Sequence, residues 1–161
     1  MVYYNNRQGN FGARRLFDAG MYPVAITSGD FDGDGDIDLA TANQLGNTIS
    51  ILFNNGKGRF LSNVEYPVGQ SPAAVTRGDF DGDSDLDIAA LNRASGTLTL
   101  LENAGGGVFL ARPGRYLGAE PAAVVAADFD GDETLDLAVA LKAQNQAAVL
   151  LNKVSTAIAG D

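Results

Sequence analysis

Short apolar runs, cut by polar and glycine-rich turns, make up most of this chain. PVAIT begins one run at Pro23, and PAAVVAADF begins its match at Pro121. DLATAN, DIAALN and DLAVAL start at Asp38, Asp87 and Asp136, and TISILFN, TLTLLEN and QAAVLLN start at Thr48, Thr97 and Gln146. The Gly-rich turns NGKG and AGGG lead into a fourth kind of run at Phe60 and Phe109. Runs of roughly 5–7 residues bounded by turn residues have the length of strands, and the pattern is β throughout.

The runs repeat without a gap. Pro23, Pro72 and Pro121 stand 49 residues apart, as do Phe31, Phe80 and Phe129, Asn54, Asn103 and Asn152, Phe11, Phe60 and Phe109, and Gly20, Gly69 and Gly118. Four strands in about 45–50 residues describe one propeller blade, whereas the coils of a β-solenoid are usually shorter. The expected fold is therefore all-β, a β-propeller of four-stranded blades with about three 49-residue repeats per chain. Residues 1–22 form a partial blade, because VYYNN matches the third strand ILFNN and NFGARRLFDAG matches a fourth. Full blades occupy 23–71 and 72–120. A third, 121–161, lacks its own fourth strand, since STAIAG has lost the Gly-x-Phe that begins one. All four pieces belong to a single domain.

Charge changes the picture in three places only. The 161 residues hold 20 acids and 11 bases, net −9, with 45% hydrophobic content. Fifteen of the acids lie in the windows 30–38, 79–87 and 128–136, so the rest of the chain is net +6. No basic run is dense enough for nucleic acid. The absence of His and Cys removes thiol nucleophiles, His-ligated zinc and disulfides. No apolar run approaches the ~20 residues of a membrane span, and MVYYNNRQGN has no signal-peptide pattern.

DFDGDGDIDLA, followed by a strand and NNGKGRF, resembles the FG-GAP/VCBS repeat, the blade unit of integrin α-subunit heads and of many bacterial and fungal propellers. The resemblance covers essentially the whole chain. It implies a β-propeller with Ca²⁺ in the loop between the first two strands of each blade. It also implies a role in adhesion, in lectin-like recognition, or as an accessory module.

The residues agree with that implication. Calcium takes six to eight oxygens, and short loops supply them at alternating positions, with a backbone carbonyl at position 7. Here positions 1, 3, 5 and 9 are Asp in every copy: Asp30, Asp32, Asp34 and Asp38; Asp79, Asp81, Asp83 and Asp87; Asp128, Asp130, Asp132 and Asp136. Position 7 varies as Asp36, Asp85 and Thr134, as a carbonyl donor allows. Position 8 is Ile37, Leu86 or Leu135, expected to anchor the loop on the core. A solvated acidic stretch, or a strand with acids on one face, is the alternative. Like charges on one strand face destabilise it, however, and three in-phase copies favour up to three Ca²⁺ per chain. Position 6 is Gly35, Ser84 or Glu133, so the third site is expected to bind weakest.

Function reads as a calcium-binding module for binding or adhesion, with a protein or carbohydrate ligand, and not as an enzyme. The alternatives are a glycoside-active propeller using carboxylates outside the metal loops, or a structural fragment of a larger propeller. Glu65, Glu102 and Glu120 do not recur in phase and read as surface residues. Tyr22 and the amides Asn43, Gln44, Asn47, Asn92, Gln144, Asn145 and Gln146, with Arg93, are weak ligand pointers, because turns are polar anyway. Loops of this kind are expected to bind at about 10⁻⁴–10⁻³ M, which favours an extracellular, cell-surface or periplasmic setting. Three blades are too few to close a ring. The expected partner is a second copy, a head-to-tail dimer making six blades, with the truncated N-terminal strand displaced.

Overall fold

The computed structural model describes residues 2–5 and 11–153. Three antiparallel sheets follow the period. The first contains β3 (Pro23–Gly29), β4 (Asp38–Asn43), β5 (Thr48–Asn54) and β6 (Phe60–Pro67), paired in chain order. The second contains β7 (Pro72–Gly78), β8 (Asp87–Asn92) and β9 (Thr97–Asn103), with β10 (Phe109–Ala111) and β11 (Arg115–Tyr116) both on β9. The third contains β12 (Pro121–Ala127), β13 (Asp136–Leu141) and β14 (Gln146–Leu150). β1 (Val2–Asn5) and β2 (Phe11–Arg15) pair with each other.

Register repeats with the sequence. Ala25↔Ala42 and Leu39↔Leu52 in the first sheet become Ala74↔Leu91 and Ile88↔Leu101 in the second, then Ala123↔Ala140 and Leu137↔Leu150 in the third. Each first strand begins at a proline and slips register just after it, between Pro23 and Ala25, Pro72 and Ala74, and Pro121 and Ala123. Proline has no N–H for the ladder, so it sits at the strand start beside an irregularity.

The second fourth strand departs from the continuous run expected at Phe109. It breaks into β10 and β11 around Pro113, which stands where Val64 pairs with Ile51 in the first sheet. The chain holds β9 through the Arg112 N–H on the Leu100 carbonyl at 2.8 Å and rejoins at Arg115↔Leu98.

Period-2 burial stacks the sheets face to face. Ile88, Ala90, Leu101 and Phe109 on the leading face of the second sheet pack on Ala40, Ala42, Ile49 and Ile51 on the trailing face of the first. Val139 and Leu141 of the third sheet pack in the same way on Leu91. Fully burying each of the larger side chains among these contributes roughly 1.5–3 kcal/mol, so these interfaces are the core. β3, β7 and β12 lie side by side. The arrangement is all-β and propeller-like, as expected, and the three sheets do not close into a ring.

Candidate metal centre

Each acidic window forms the loop between the first two strands of its sheet, and its last carboxylate organises it. Asp38 is fully buried at the start of β4. Its Oδ2 accepts the Phe31 N–H at 2.9 Å and its Oδ1 accepts the Asn54 N–H at 2.8 Å. Asp87 does the same for Phe80 and Asn103, and Asp136 for Phe129 and Asn152. One buried side chain thus ties the start of the loop to the end of the third strand.

The first carboxylate shapes the turn. Asp30 accepts the N–H groups of Gly33 and Gly35, Asp79 those of Gly82 and Ser84, and Asp128 those of Gly131 and Glu133. Position 6 must therefore be left-handed: φ is 89° at Gly35, 77° at Ser84 and 68° at Glu133. A side chain in that conformation costs roughly 1–2 kcal/mol.

These bonds bring positions 1, 3 and 9 together. One carboxylate oxygen each from Asp30, Asp32 and Asp38 lie within 4.8 Å of one another, as do those of Asp79, Asp81 and Asp87, and of Asp128, Asp130 and Asp136. Two oxygens about 2.4 Å from one ion can be at most about 4.8 Å apart, so each trio meets the spacing that a shared calcium ion requires. The all-oxygen set suits a hard cation. Position 5 stands outside each trio. Asp34, Asp83 and Asp132 accept the N–H of Asp36, Asp85 and Thr134 instead. At position 7, the Asp36 and Asp85 carboxylates face Gly56 and Gly105, and the Thr134 hydroxyl lies 2.9 Å from the Asn152 carbonyl. Those side chains face the turn after the third strand, away from the carboxylate trio.

A family model described as the FG-GAP-like repeat matches residues 30–90 and again 79–139. The chain belongs to this family. No curated protein matches it. Each FG-GAP match runs from one acidic loop through the next. Three carboxylate trios in FG-GAP repeats fit metal ions, calcium among them.

Position 8 meets its expectation at Leu86, which packs against the core between the first two sheets, and departs from it at Ile37. A Cβ added to Gly29 would lie 2.7 Å from Leu86 Cδ1, and one added to Gly78 would lie 2.6 Å from Leu135 Cδ1. The leucines seat on glycines of the preceding sheet, and Ile37 in the first loop is exposed.

The loops differ electrostatically. Burial pushes the Asp87 carboxyl up to about 6 and also raises Asp32, Asp38 and Asp81. A cation joining those groups would favour their charged forms. In the third loop, hydrogen bonds from Gly131 and Glu133 hold Asp128 low, and those from Thr134, with Lys153 nearby, hold Asp132 low. Lys153 pairs with Asp130 and comes within 3.7 Å of Asp132. The in-phase residues are Asn55 and Ala104, so no ammonium stands there in the other loops. Sequence reasoning missed Lys153. It also gave no role to the in-phase asparagines, of which Asn103 and Asn152 donate to Phe31 and Phe80 carbonyls of the preceding sheet.

The ligand pointers divide. Asn43 and Asn92 are buried and hold their turns through Thr48 and Ser50, and through Thr97 and Thr99. Tyr22, exposed, and Arg93, ion-paired to Glu120 at 3.6 Å, remain at the rim opposite the acidic loops. Among the described residues, no helix is long and apolar enough to cross a membrane.

Proposed function

We propose that the chain is a calcium-stabilised recognition module acting outside the cell or on its surface. The acidic loops serve the fold, and the opposite rim meets a protein or glycan. The buried position-9 aspartates carry this reading. A metal on Asp38, Asp87 or Asp136 would brace a side chain that already joins the loop to the third strand. That is the arrangement of a structural ion; a catalytic metal keeps an open position.

Recognition is then left to the turns that begin the first strands and follow the second. Tyr22 and Leu45 are exposed there, and Arg93 and Glu120 lie beside Gln44 along one shallow depression. The carboxylates an enzyme reading would use have local partners: Glu65 accepts from the Thr48 hydroxyl, Glu102 pairs with Arg112, and Glu120 with Arg93. An array of glycans and cell-surface proteins, probed in calcium and in chelator, tests the reading. Calcium-dependent binding that Tyr22→Ala or Arg93→Ala weakens, with the fold intact by circular dichroism, supports it. Glycoside turnover by the chain, or binding indifferent to both substitutions, overturns it.

A further inference from the structure

The two interfaces inside the chain are built from the same parts, and the complementary halves of those parts are left over on its two outer faces. At an inner interface, an asparagine at the end of a third strand donates to a phenylalanine carbonyl of the preceding sheet, 2.8 Å for Asn103 to Phe31 and 2.7 Å for Asn152 to Phe80. Asn54 is the in-phase donor of the first sheet. Among the described residues its amide reaches only the Ile37 carbonyl of its own loop, and its Oδ1 is buried without a partner. Phe129 is the in-phase acceptor on the third sheet.

Burial follows the same logic. Phe31 is 1% exposed beneath the second sheet, while Phe129 is 47% exposed. On the trailing face, Ile51 is 0% exposed and its counterpart Val149 is 53% exposed. On the leading face, Val75 and Val124 are packed into the inner interfaces, whereas Ile26 is 60% exposed.

We propose that the trailing face of the third sheet is covered by the leading face of the first sheet of a second copy of this chain. Two copies then form a six-bladed ring about a two-fold axis, within the range of known propellers. The contact continues an interface the chain already makes twice. In it, the Asn54 amide reaches the Phe129 carbonyl, and Ile26 covers the Val149 side. The position-8 pair supports self-pairing. Inner interfaces set Leu86 and Leu135 so closely over glycine that a Cβ there would displace the leucine. At the outer faces the glycine becomes Ala127 and the leucine becomes Ile37, whose branch sits one carbon nearer the backbone and so makes room for the added methyl. β1–β2 also repeats the β5–β6 register, Val2↔Arg15 for Ile51↔Val64. β2 of the second copy is therefore in phase to take the open edge of β14, and β1, which duplicates β14, gives way. This proposal does not depend on any ligand at the rim.

Light scattering and sedimentation of the full chain in calcium test it. The expected mass is twice the 16.7 kDa of one chain, over a wide range of protein concentration. Ile26→Glu and Val149→Glu should each give a folded monomer, judged by circular dichroism. Asn54→Ala should weaken the dimer at least about tenfold, the cost of roughly one hydrogen bond at a desolvated site. A wild-type monomer, an open-ended series of larger species, or a dimer that survives Ile26→Glu overturns the ring.

Discussion

Asn103 donates its side-chain amide to the carbonyl of Phe31, in the neighbouring sheet, at 2.8 Å. The same amide reaches the Leu86 carbonyl of its own loop, and its backbone N–H is held by Asp87. Two acidic loops are thereby joined through one residue. Asn103→Ala leaves the Phe31 carbonyl without that donor inside a buried interface, which costs ~1–3 kcal/mol. Chemical denaturation in saturating calcium should register that loss. Asn103→Asp should do no better, since a carboxylate has no proton to give. Stability equal to wild type for both would mean that the link contributes nothing.

The third loop should bind calcium most weakly, for two separable reasons. Glu133 holds a left-handed φ of 68° that glycine holds freely at Gly35, a cost the second loop shares at Ser84, and in the third loop alone Lys153 pairs with Asp130. In calorimetric titrations, Asp130→Ala should therefore cost less total affinity than Asp32→Ala or Asp81→Ala. Glu133→Gly should tighten the weakest site by ~5–30-fold, the equivalent of roughly 1–2 kcal/mol. Lys153→Ala should tighten it further, by an amount that shrinks with added salt. Equal losses from all three Asp variants count against the ranking.

The strands and their period were legible because each strand is short, apolar and bounded by turn residues, and because Phe31, Asp38 and Asn54 recur in phase. The break at Pro113 was there to be read, since proline in a strand lacks a ladder donor. Other facts belong to pairs of sheets and escape a local pattern. Leu86 reads as a core residue and is one, but its seat on Gly29 of the sheet before cannot be read from its own repeat. Asn103 is visibly in phase, but its partner Phe31 lies a sheet away. Which aspartates converge was also hidden, because alternation treats Asp34 and Asp32 alike. The left-handed turn brings only the latter into the trio. Lys153 has no counterpart in the other copies, so periodicity gave no reason to examine it.

Metal-free protein should gain stability on mild acidification. Burial raises the Asp87 carboxyl from 3.8 to about 6 and shifts Asp32, Asp38 and Asp81 the same way. A folded state that takes up protons more readily than the unfolded chain is stabilised as the pH falls through that window, and loses the benefit as the pH rises past about 6. Asp128 and Asp132 act oppositely, but they are exposed and their effect is screened. Melting scans in chelator should give a higher midpoint near about pH 5 than near about pH 7. With calcium saturating the order should reverse, because protons then displace the metal. A metal-free midpoint that falls on acidification would show that burial does not strain these carboxylates.

Removing calcium at neutral pH should lower the melting temperature markedly. Two unit charges ~4 Å apart repel by roughly 1 kcal/mol in water and by several times that where partly desolvated. Each trio holds three carboxylate oxygens within 4.8 Å, and Asp38, Asp87 and Asp136 are buried. An ion present at 100 times its dissociation constant contributes ~2.7 kcal/mol per site. For a chain of this length, 1 kcal/mol corresponds to about 2–4 °C, so emptying even one site should move the midpoint by roughly 5–10 °C. Magnesium should restore little of the loss, because it demands octahedral geometry and keeps most of its waters. The scan starts from protein shown by elemental analysis to carry calcium. If excess chelator then leaves the melting curve in place, the aspartate trios have no part in holding the fold, and the structural role assigned to the metal is wrong.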